Sequence, residues 1–291
     1  MAISIRLPNS MGCTVAGTAV ILSVLQKHKN TKIFALTPFT DLLKGLDGVE
    51  VINCRDSLTN NYNIDLRQYT SRRPHNSFPY RPSYMHMIEM AEEQLKERLL
   101  VHYPKVFIDK NEDIWAKKET MKHPHELIWY QSVSTSSNRI WKSSNWKILK
   151  ETFSGIYSFV DLSTEGYSLR QSLAIVKHSF AGICLDSFMV HGSAAVNAKN
   201  VLVILGSSRP ECVTYPGQYI HYKESGCRLQ PCGMHGYFNG CKREHEHLFG
   251  ENNCIHPFSK CMDTISVKDI SETLEMLASN RSIRIKNNDI F

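Results

Sequence analysis

No part of the sequence contains the roughly 18 consecutive apolar residues that a membrane-spanning helix needs. Its most apolar early segment, residues 15–25, is interrupted by Gly17, Thr18 and Ser23. The first residues also lack a basic region followed by an apolar core and a cleavage site, which a secretory signal would show. These absences predict a cytoplasmic protein without a membrane span.

The sequence also lacks a large net charge and a cysteine pattern typical of disulfide-bonded proteins. The net charge is only +6, and 42% hydrophobic with 21% charged residues in a chain of 291 is typical of a globular protein long enough for two domains. This charge suits an acidic ligand such as a nucleotide diphosphate, and it is also compatible with nucleic acid. Nine cysteines without an export signal argue against a disulfide framework.

The chain is best understood from a βαβ unit near its middle. Apolar runs at Ala181–Leu185 and Val201–Leu205 have the composition of buried parallel strands, and the small residues between them suit a helix packed close to a sheet. Asp186 and Ser187 open that helix at the carboxyl end of the first strand. A helix N-terminus with a hydroxyl beside it favours a phosphate group, although either residue can instead be a simple helix cap.

Other strands and helices alternate along the chain, which predicts two Rossmann-like domains with parallel sheets. His123-Pro124-His125 interrupts the pattern, so we predict a first domain at residues 1–124 and a second at 125–291. The predicted helices span residues 15–28, 39–46, 84–102, 109–122, 168–177 and 267–278, and the tail from residue 280 is expected to fray. The other predicted strands are Ala2–Leu7, Ile33–Leu36, Val49–Asn53, Val106–Ile108, Leu127–Gln131 and Tyr157–Leu162.

Residues 60–84 form a long irregular connection that is rich in arginine, proline and aromatic residues. Long loops of this kind inside compact domains are often functional, but a solvated surface loop is an equally simple interpretation. Basic and aromatic residues together also suit single-stranded nucleic acid. No recognised nucleic-acid-binding module accompanies them, so nucleic acid is not an expected partner.

Residues at fixed spacing in the βαβ unit and in two earlier turns resemble a known family. In the βαβ unit they are Asp186, Ser187, Met189, His191, Ala194, Ala195, Leu205, Gly206, Ser207 and Pro210. The earlier segments are a Ser-rich loop followed by Arg139 and Trp141, and the turn Asp161-Leu162-Ser163. Together they resemble the ADP-heptose:lipopolysaccharide heptosyltransferase family, glycosyltransferase family 9, in which a glycine stands where this chain has Phe188.

The resemblance implies a GT-B architecture, an α/β fold with an active-site cleft between two Rossmann-like domains. It implies inverting transfer of a sugar, heptose above all, from a nucleotide diphosphate sugar to a saccharide or protein acceptor. ADP-heptose is the favoured donor, no catalytic metal is implied, and attachment to the periphery of the inner membrane stays open. The implied donor-binding residues are Ser132, Arg139, Asp161, Asp186, Ser187 and His191, and those for an anionic acceptor are Arg72, Arg73, His75 and Arg81.

The catalytic base is where the chain departs from the family. The family's Gly-Asp pair after the first strand corresponds here to Gly12 and Cys13. A thiol is a poorer general base for a sugar hydroxyl than a positioned carboxylate. His75 and Asp41 are alternative bases, and without the resemblance Cys13 is simply a small buried residue.

The Cys-rich segment, residues 212–261, contains six cysteines and five histidines. Four thiolates in tetrahedral reach would suit structural zinc or iron, but the spacings are not C-x2-C, so free thiols or disulfides stay open. Some related protein heptosyltransferases bind iron through such a cluster. The predicted ligands are Cys227, Cys232, Cys254 and Cys261, with Cys241, His235 and His256 as substitutes.

Two other classes of function remain compatible with the sequence. A non-catalytic nucleotide-sugar-binding protein would explain why Cys13 replaces the family's carboxylate. A metal-knuckle interaction protein would use the Cys-rich segment to contact a protein or nucleic acid.

Overall fold

A computed structural model of the chain describes residues 2–55, 61–69, 79–232, 254–256 and 258–288, without the side chains of residue 137 and residues 281–288. Within these ranges the strands form two fully parallel sheets, one with the order β3-β2-β1-β4 and one with the order β6-β5-β7-β8-β9. The strands are β1 (Ala2–Arg6), β2 (Lys32–Thr37), β3 (Val49–Asn53), β4 (Ile64–Asp65), β5 (Glu126–Tyr130), β6 (Tyr157–Asp161), β7 (Ala181–Leu185), β8 (Val201–Leu205) and β9 (Tyr219–Tyr222).

Helices connect the strands and cover the sheets. Two 3-10 turns, Thr40–Leu43 and Ser137–Arg139, complete the regular structure of the described residues. The helices are α1 (Met11–Lys27), α2 (Ser83–Leu95), α3 (Lys110–Thr120), α4 (Ser143–Phe153), α5 (Leu169–His178), α6 (Phe188–Ala195), α7 (Pro210–Val213), α8 (Lys260–Asp263) and α9 (Val267–Asn288). Among the described residues, none of these helices is both long and apolar enough to cross a membrane.

The second sheet is built from strands whose apolar residues are buried on both faces. Every residue of β7 and β8 is buried, as expected for central parallel strands between layers of helices. Gly182 in β7 leaves room for the ring of Trp129 in the neighbouring β5: a Cβ at Gly182 would lie only 1.9 Å from Trp129 Cε2. The absence of a side chain at this position therefore determines how the largest core residue of β5 packs.

Arg170 of α5 joins the second sheet to elements of the first half of the chain. Its buried guanidinium forms an ion pair with the partly buried Glu112 of α3 and donates to Phe107 O at 2.6 Å and Asp41 O at 2.9 Å. The same guanidinium holds the pKa of the Glu112 carboxyl below its usual range. Helix α3 packs against α5, and α1 packs against α6, so the two halves meet along helices.

Most predicted elements are confirmed, and several boundaries are wrong. Residues 106–108 are not a strand, because the Val106 amide donates to Ala195 O at the end of α6 rather than to a sheet. Helix α2 ends at Leu95, where Lys96 takes a left-handed backbone conformation, and not at residue 102. The last helix extends to residue 288, beyond the predicted fraying point. Strands β4 and β9 were not predicted.

Replacing Gly182 by alanine tests the packing of Trp129. We expect Gly182→Ala to lower the free energy of unfolding by about 1–3 kcal/mol, because the added methyl group displaces a large ring from a close-packed core. Urea denaturation followed by circular dichroism measures this change. Gly155→Ala is the matched control, since a Cβ there meets nothing within 4 Å. Equal midpoints for the two variants would contradict the packing described above.

Candidate functional site

Arg139 lies at the end of the loop that follows β5 and reaches the start of α6. Its Nη1 donates to Asp186 O at 2.6 Å and lies 3.7 Å from Asp186 Oδ1, and its Nη2 donates to Thr135 Oγ1 at 3.0 Å. The side chain is only 7% exposed, and its Nε is buried without a hydrogen-bond partner. A buried guanidinium with an unused N–H is an uncommon arrangement, because such groups are usually fully hydrogen-bonded.

Asp186 connects the loops that follow β7 and β8. Ser208 Oγ donates to Asp186 Oδ2 at 2.5 Å, while Arg139 Nη1 donates to the backbone carbonyl of the same residue. Because β5, β7 and β8 are parallel neighbours, their carboxyl ends bring these three loops to one edge of the sheet. This is the edge at which open α/β folds bind ligands.

Ser187 occupies the N-cap position of α6 but does not cap the helix. Its hydroxyl donates to Gln131 Oε1 and has Leu185 O as a second possible acceptor at 3.2 Å, which leaves the first turn of α6 without a side-chain cap. Ser187 is therefore not a simple helix cap. The amide groups at this helix end and the positive end of its dipole favour an anion at this position.

The loop after β8 contributes a second buried polar atom. Ser207 Oγ is buried and has no hydrogen-bond partner. A Cβ at Gly206 would lie 2.7 Å from Cys261 Sγ and 2.8 Å from Met262 Sδ, so glycine allows this loop to lie directly against two sulfur atoms. Gln230 fixes the loop from the other side by donating to Gly206 O at 3.1 Å.

Asp161 and Ser132 bind each other. The Asp161 carboxylate accepts a short hydrogen bond from Ser132 Oγ, and its Oδ1 accepts from the amide of Ser163 at 3.0 Å and from the amide of Ser132 at 3.3 Å. This interaction ties the loop after β6 to the loop after β5. It gives both predicted donor-binding residues a role in shaping the loop that carries Arg139.

His191 lies where α6 meets the N-terminus of α1. Its Nδ1 is 2.8 Å from Tyr215 Oη, and a Cβ at Gly12 would lie 3.0 Å from its Cδ2 and 3.5 Å from its Nε2. Tyr215 in turn stacks on Tyr84 of α2, with ring centroids 5.7 Å apart. Sequence reasoning missed Tyr215, and no motif marks it in the sequence.

Cys13 is in the first turn of α1, where Ser10 caps the helix by accepting from the Cys13 amide at 3.3 Å. Burial raises the pKa of the Cys13 thiol above its ordinary value, and the hydrogen bond with Ser10 only partly opposes this. The group is therefore a neutral thiol at pH 7. Its chemistry is that of a weak proton donor rather than a base.

Phe188 does not project away from its helix. A Cβ at Gly192, one turn later, would lie 3.5 Å from Phe188 Cζ, so the ring lies along α6 and belongs to the hydrophobic core. The absence of a side chain at Gly192 thus makes room for the Phe188 ring in the same helix.

The predicted acceptor-binding residues are only partly described. Arg72, Arg73 and His75 lie outside the described residues. Arg81 pairs with Glu89 at 2.6 Å, and its Nε is buried without a partner. Nearby, a contact that the sequence did not indicate links the two halves, because the Arg209 guanidinium lies 4.1 Å from the ring centroid of Tyr80.

The four predicted metal ligands, Cys227, Cys232, Cys254 and Cys261, line one small cavity of about 20 Å³. Ser207 also lines this cavity, which therefore adjoins the loop after β8. Burial and the nearby thiols of Cys232 and Cys254 raise the pKa of Cys261 to about 12. No three side chains among the described residues are arranged to hold a metal ion, and Cys241 and His235 lie outside that part of the chain.

Comparisons with known proteins identify the fold. No protein-family model and no curated protein matches the sequence. Among solved structures, the chain is similar to the glycosyl transferase family 9 protein from Veillonella parvula (TM-score 0.68, 12% identity, covering 95% of this chain and 96% of that chain). It is also similar to E. coli ADP-heptose lps heptosyltransferase II, with a TM-score of 0.65 and 12% identity over 97% of this chain and 100% of that chain.

A third similar structure is the bacterial iron-containing dodecameric glycosyltransferase TibC from enterotoxigenic E. coli, with a TM-score of 0.64 and 13% identity over 97% of this chain and 76% of that chain. TibC has also been solved in complex with ADP-D-beta-D-heptose. Identities this low establish the fold alone. The predicted fold class, a GT-B-like pair of parallel α/β units, is confirmed.

The raised pKa of Cys13 predicts slow alkylation of its thiol. In the folded protein, the rate of Cys13 modification by iodoacetamide should still increase between about pH 8.5 and 9.5, because only the thiolate reacts and burial disfavours it. Peptide mass spectrometry after timed quenching measures this rate. The same cysteine in urea is the control, with a midpoint expected near pH 8.5. A plateau below pH 8.5 in the folded protein would contradict a half-buried thiol that stays neutral at pH 7.

Proposed function

We propose that the protein is a glycosyltransferase that transfers a sugar from a nucleotide diphosphate sugar to an acceptor hydroxyl. The observation that carries this proposal is the uncapped N-terminus of α6, with Arg139 Nε and Ser207 Oγ buried and unpartnered in the neighbouring loops. A diphosphate would supply acceptor oxygens to all three groups and negative charge to the helix dipole. The GT-B-like fold supports the assignment, because similar solved structures are glycosyltransferases.

We further propose ADP-heptose as the donor. The support is the TibC complex with ADP-D-beta-D-heptose, in a fold similar to that of this chain. In this proposal Arg139 and the α6 amides stabilise the charge that develops on the departing diphosphate, without a catalytic metal. Asp186 positions the guanidinium, and the Asp161–Ser132 interaction holds the loop in place.

Inverting transfer would place the acceptor opposite the diphosphate. The proposed acceptor is an anionic saccharide or protein, with Arg81 as its described contact and Arg72, Arg73 and His75 as further contacts. We propose that residues 1–124 form the domain that binds the acceptor and residues 125–291 form the domain that binds the donor.

A structural zinc or iron ion is proposed for the thiol cavity, whose cysteines would have to move closer together to bind it, since no three described side chains are arranged around a metal position. Four cysteines line the cavity, and the buried Nε2 of His256, which also lines it, has no hydrogen-bond partner. Cysteine sulfur and imidazole nitrogen are common ligand atoms of zinc and iron. A metal bound by Cys227, Cys232, Cys254 and Cys261 would fix the loop that carries Ser207, because Cys261 Sγ lies against Gly206.

The second candidate is a non-catalytic nucleotide-sugar-binding protein. The observation that favours it is Cys13, whose raised pKa keeps a neutral thiol at the position of the family's carboxylate. This candidate predicts donor binding without transfer and without donor hydrolysis.

Loss of Arg139 tests the donor site. We expect Arg139→Gln to weaken ADP binding by about 10- to 100-fold, since a charge-assisted contact with phosphate is removed. Isothermal titration calorimetry at a temperature where both proteins are folded measures the change. Arg98→Gln is the control, because the Arg98 side chain is 91% exposed and pairs with Glu92. The same loss of affinity in both variants, or in neither, would contradict the assignment.

Removal of one cysteine tests the metal site. Chelator-treated protein that is then reloaded with Zn(II) or Fe(II) should retain about one ion per chain after desalting. Cys261→Ser should retain much less, whereas Cys54→Ser, which changes a cysteine outside the cavity, should match the unmodified protein. Elemental analysis gives the ratio. Equal retention by the two variants would exclude the proposed ligand set.

A further inference from the structure

A second cavity, of about 410 Å³, lies at the carboxyl edge of the second sheet. It is lined by Arg209 and Glu211, from the loop after β8 and the start of α7, and by Tyr222 and Glu224, from the end of β9 and the segment after it. Because β9 runs parallel to β8, both segments emerge at the edge that carries the candidate site. The volume is within the range of small-molecule sites, about 300–1,000 Å³.

The cavity offers two carboxylates to a ligand. Among the described residues, the carboxylates of Glu211 and Glu224 form no hydrogen bond or ion pair, and both residues are exposed. Gln230 forms part of the wall and is held in place, because its amide donates to Gly206 O at 3.1 Å and to Lys223 O at 2.8 Å. Carboxylates accept strong hydrogen bonds and cannot donate them, so a matching ligand supplies donors such as hydroxyl groups.

The charges of the lining disfavour a phosphate group. One guanidinium, that of Arg209, stands against the two carboxylates. Of the nearby lysines, Lys223 pairs with Asp269 at 2.7 Å, and Lys260 lines the thiol cavity instead. An uncharged group rich in hydroxyls therefore fits this lining better than an anion, which the two carboxylates would repel.

The cavity lies away from the loops that are assigned to the nucleotide. In the sheet order β6-β5-β7-β8-β9, the loops with Arg139 and Asp161 are on one side of the α6 N-terminus and the cavity is on the other. Arg209 reaches from the cavity toward the first half, where its guanidinium lies 4.1 Å from the ring centroid of Tyr80. Tyr80 directly precedes Arg81, the described contact of the proposed acceptor.

We propose that this cavity binds an uncharged sugar unit of the acceptor, whose hydroxyl groups donate hydrogen bonds to Glu211 and Glu224. This sugar site, which rests on the proposed function, adds residues of the second half to acceptor binding. Ser207 and Arg209 are two positions apart, so their Cα atoms lie within about 7 Å of each other. The sugar unit is therefore held beside the proposed diphosphate position, while Arg81 contacts the anionic part of the same acceptor.

An array of neutral, amino and acidic saccharides tests this sugar site. We expect the unmodified protein to bind neutral saccharides. The double variant Glu211→Gln/Glu224→Gln should bind them at least about tenfold more weakly, because two charge-assisted hydrogen bonds become neutral ones. The control is Glu151→Gln/Glu272→Gln, which removes two carboxylates that are 64% and 61% exposed and do not line the cavity. The control should bind the array like the unmodified protein.

Calorimetry with ADP and with ADP-D-beta-D-heptose separates the acceptor from the donor. We expect Glu211→Gln/Glu224→Gln to bind both compounds with the affinity of the unmodified protein. A loss confined to ADP-D-beta-D-heptose would overturn the proposal by placing the sugar of the donor in the cavity. A loss of ADP affinity would overturn it by placing the nucleotide there.

The array gives the other contradicting outcomes. The proposal is wrong if the unmodified protein binds no saccharide, or binds acidic or amino saccharides alone. Equal binding of neutral saccharides by the two double variants also overturns it. A protein that binds neutral saccharides through these carboxylates but does not bind ADP would support the sugar site and contradict the proposed glycosyltransferase, so the two proposals can fail separately.

Discussion

The parallel direction of the second sheet is the constraint on which the site depends. Each strand of that sheet runs the same way, so the loops after β5, β6, β7 and β8 emerge at one edge. Residues far apart in sequence then meet: Arg139 binds the backbone of Asp186, and Asp186 binds Ser208. A single reversed strand would take its loop to the opposite edge and leave the buried guanidinium without its carbonyl partner.

The two halves of the chain are joined at several places with different chemistry. Arg170 supplies a largely buried ionic contact with Glu112, and α1 packs directly on α6. Other contacts between the halves involve aromatic rings: Tyr215 stacks on Tyr84, and the Arg209 guanidinium lies over the ring of Tyr80. Removing one partner of a buried ion pair costs about 3–5 kcal/mol, whereas an aromatic pair contributes about 0.5–1.5 kcal/mol beyond the area it buries. The Arg170 contact is therefore the more costly of these contacts to break.

The sequence was sufficient for the fold class and for placing the loops of the candidate site at the carboxyl ends of parallel strands, and insufficient for the contacts of individual residues. Apolar runs and helix-opening residues predicted the βαβ unit, because burial on both faces leaves a clear pattern. Spacing placed Ser187 at a helix start but not the direction of its hydroxyl, which depends on Gln131 in a distant loop. Tyr215 had no signal at all, since its role comes only from contacts with His191 and Tyr84. Residues 106–108 resemble a strand because they are apolar, but their amide bonds to the end of a helix.

Gly206 places the loop after β8 in contact with the sulfur atoms of Cys261 and Met262, closer than any carbon side chain would allow. Both sulfurs are buried, and both are atoms that oxidants convert to larger, polar groups. An oxygen atom added to either sulfur on the side that faces Gly206 has no space there. Oxidation on that side would move the loop that carries Ser207, so the chemical state of two sulfurs and the shape of this edge of the sheet are linked by direct contact.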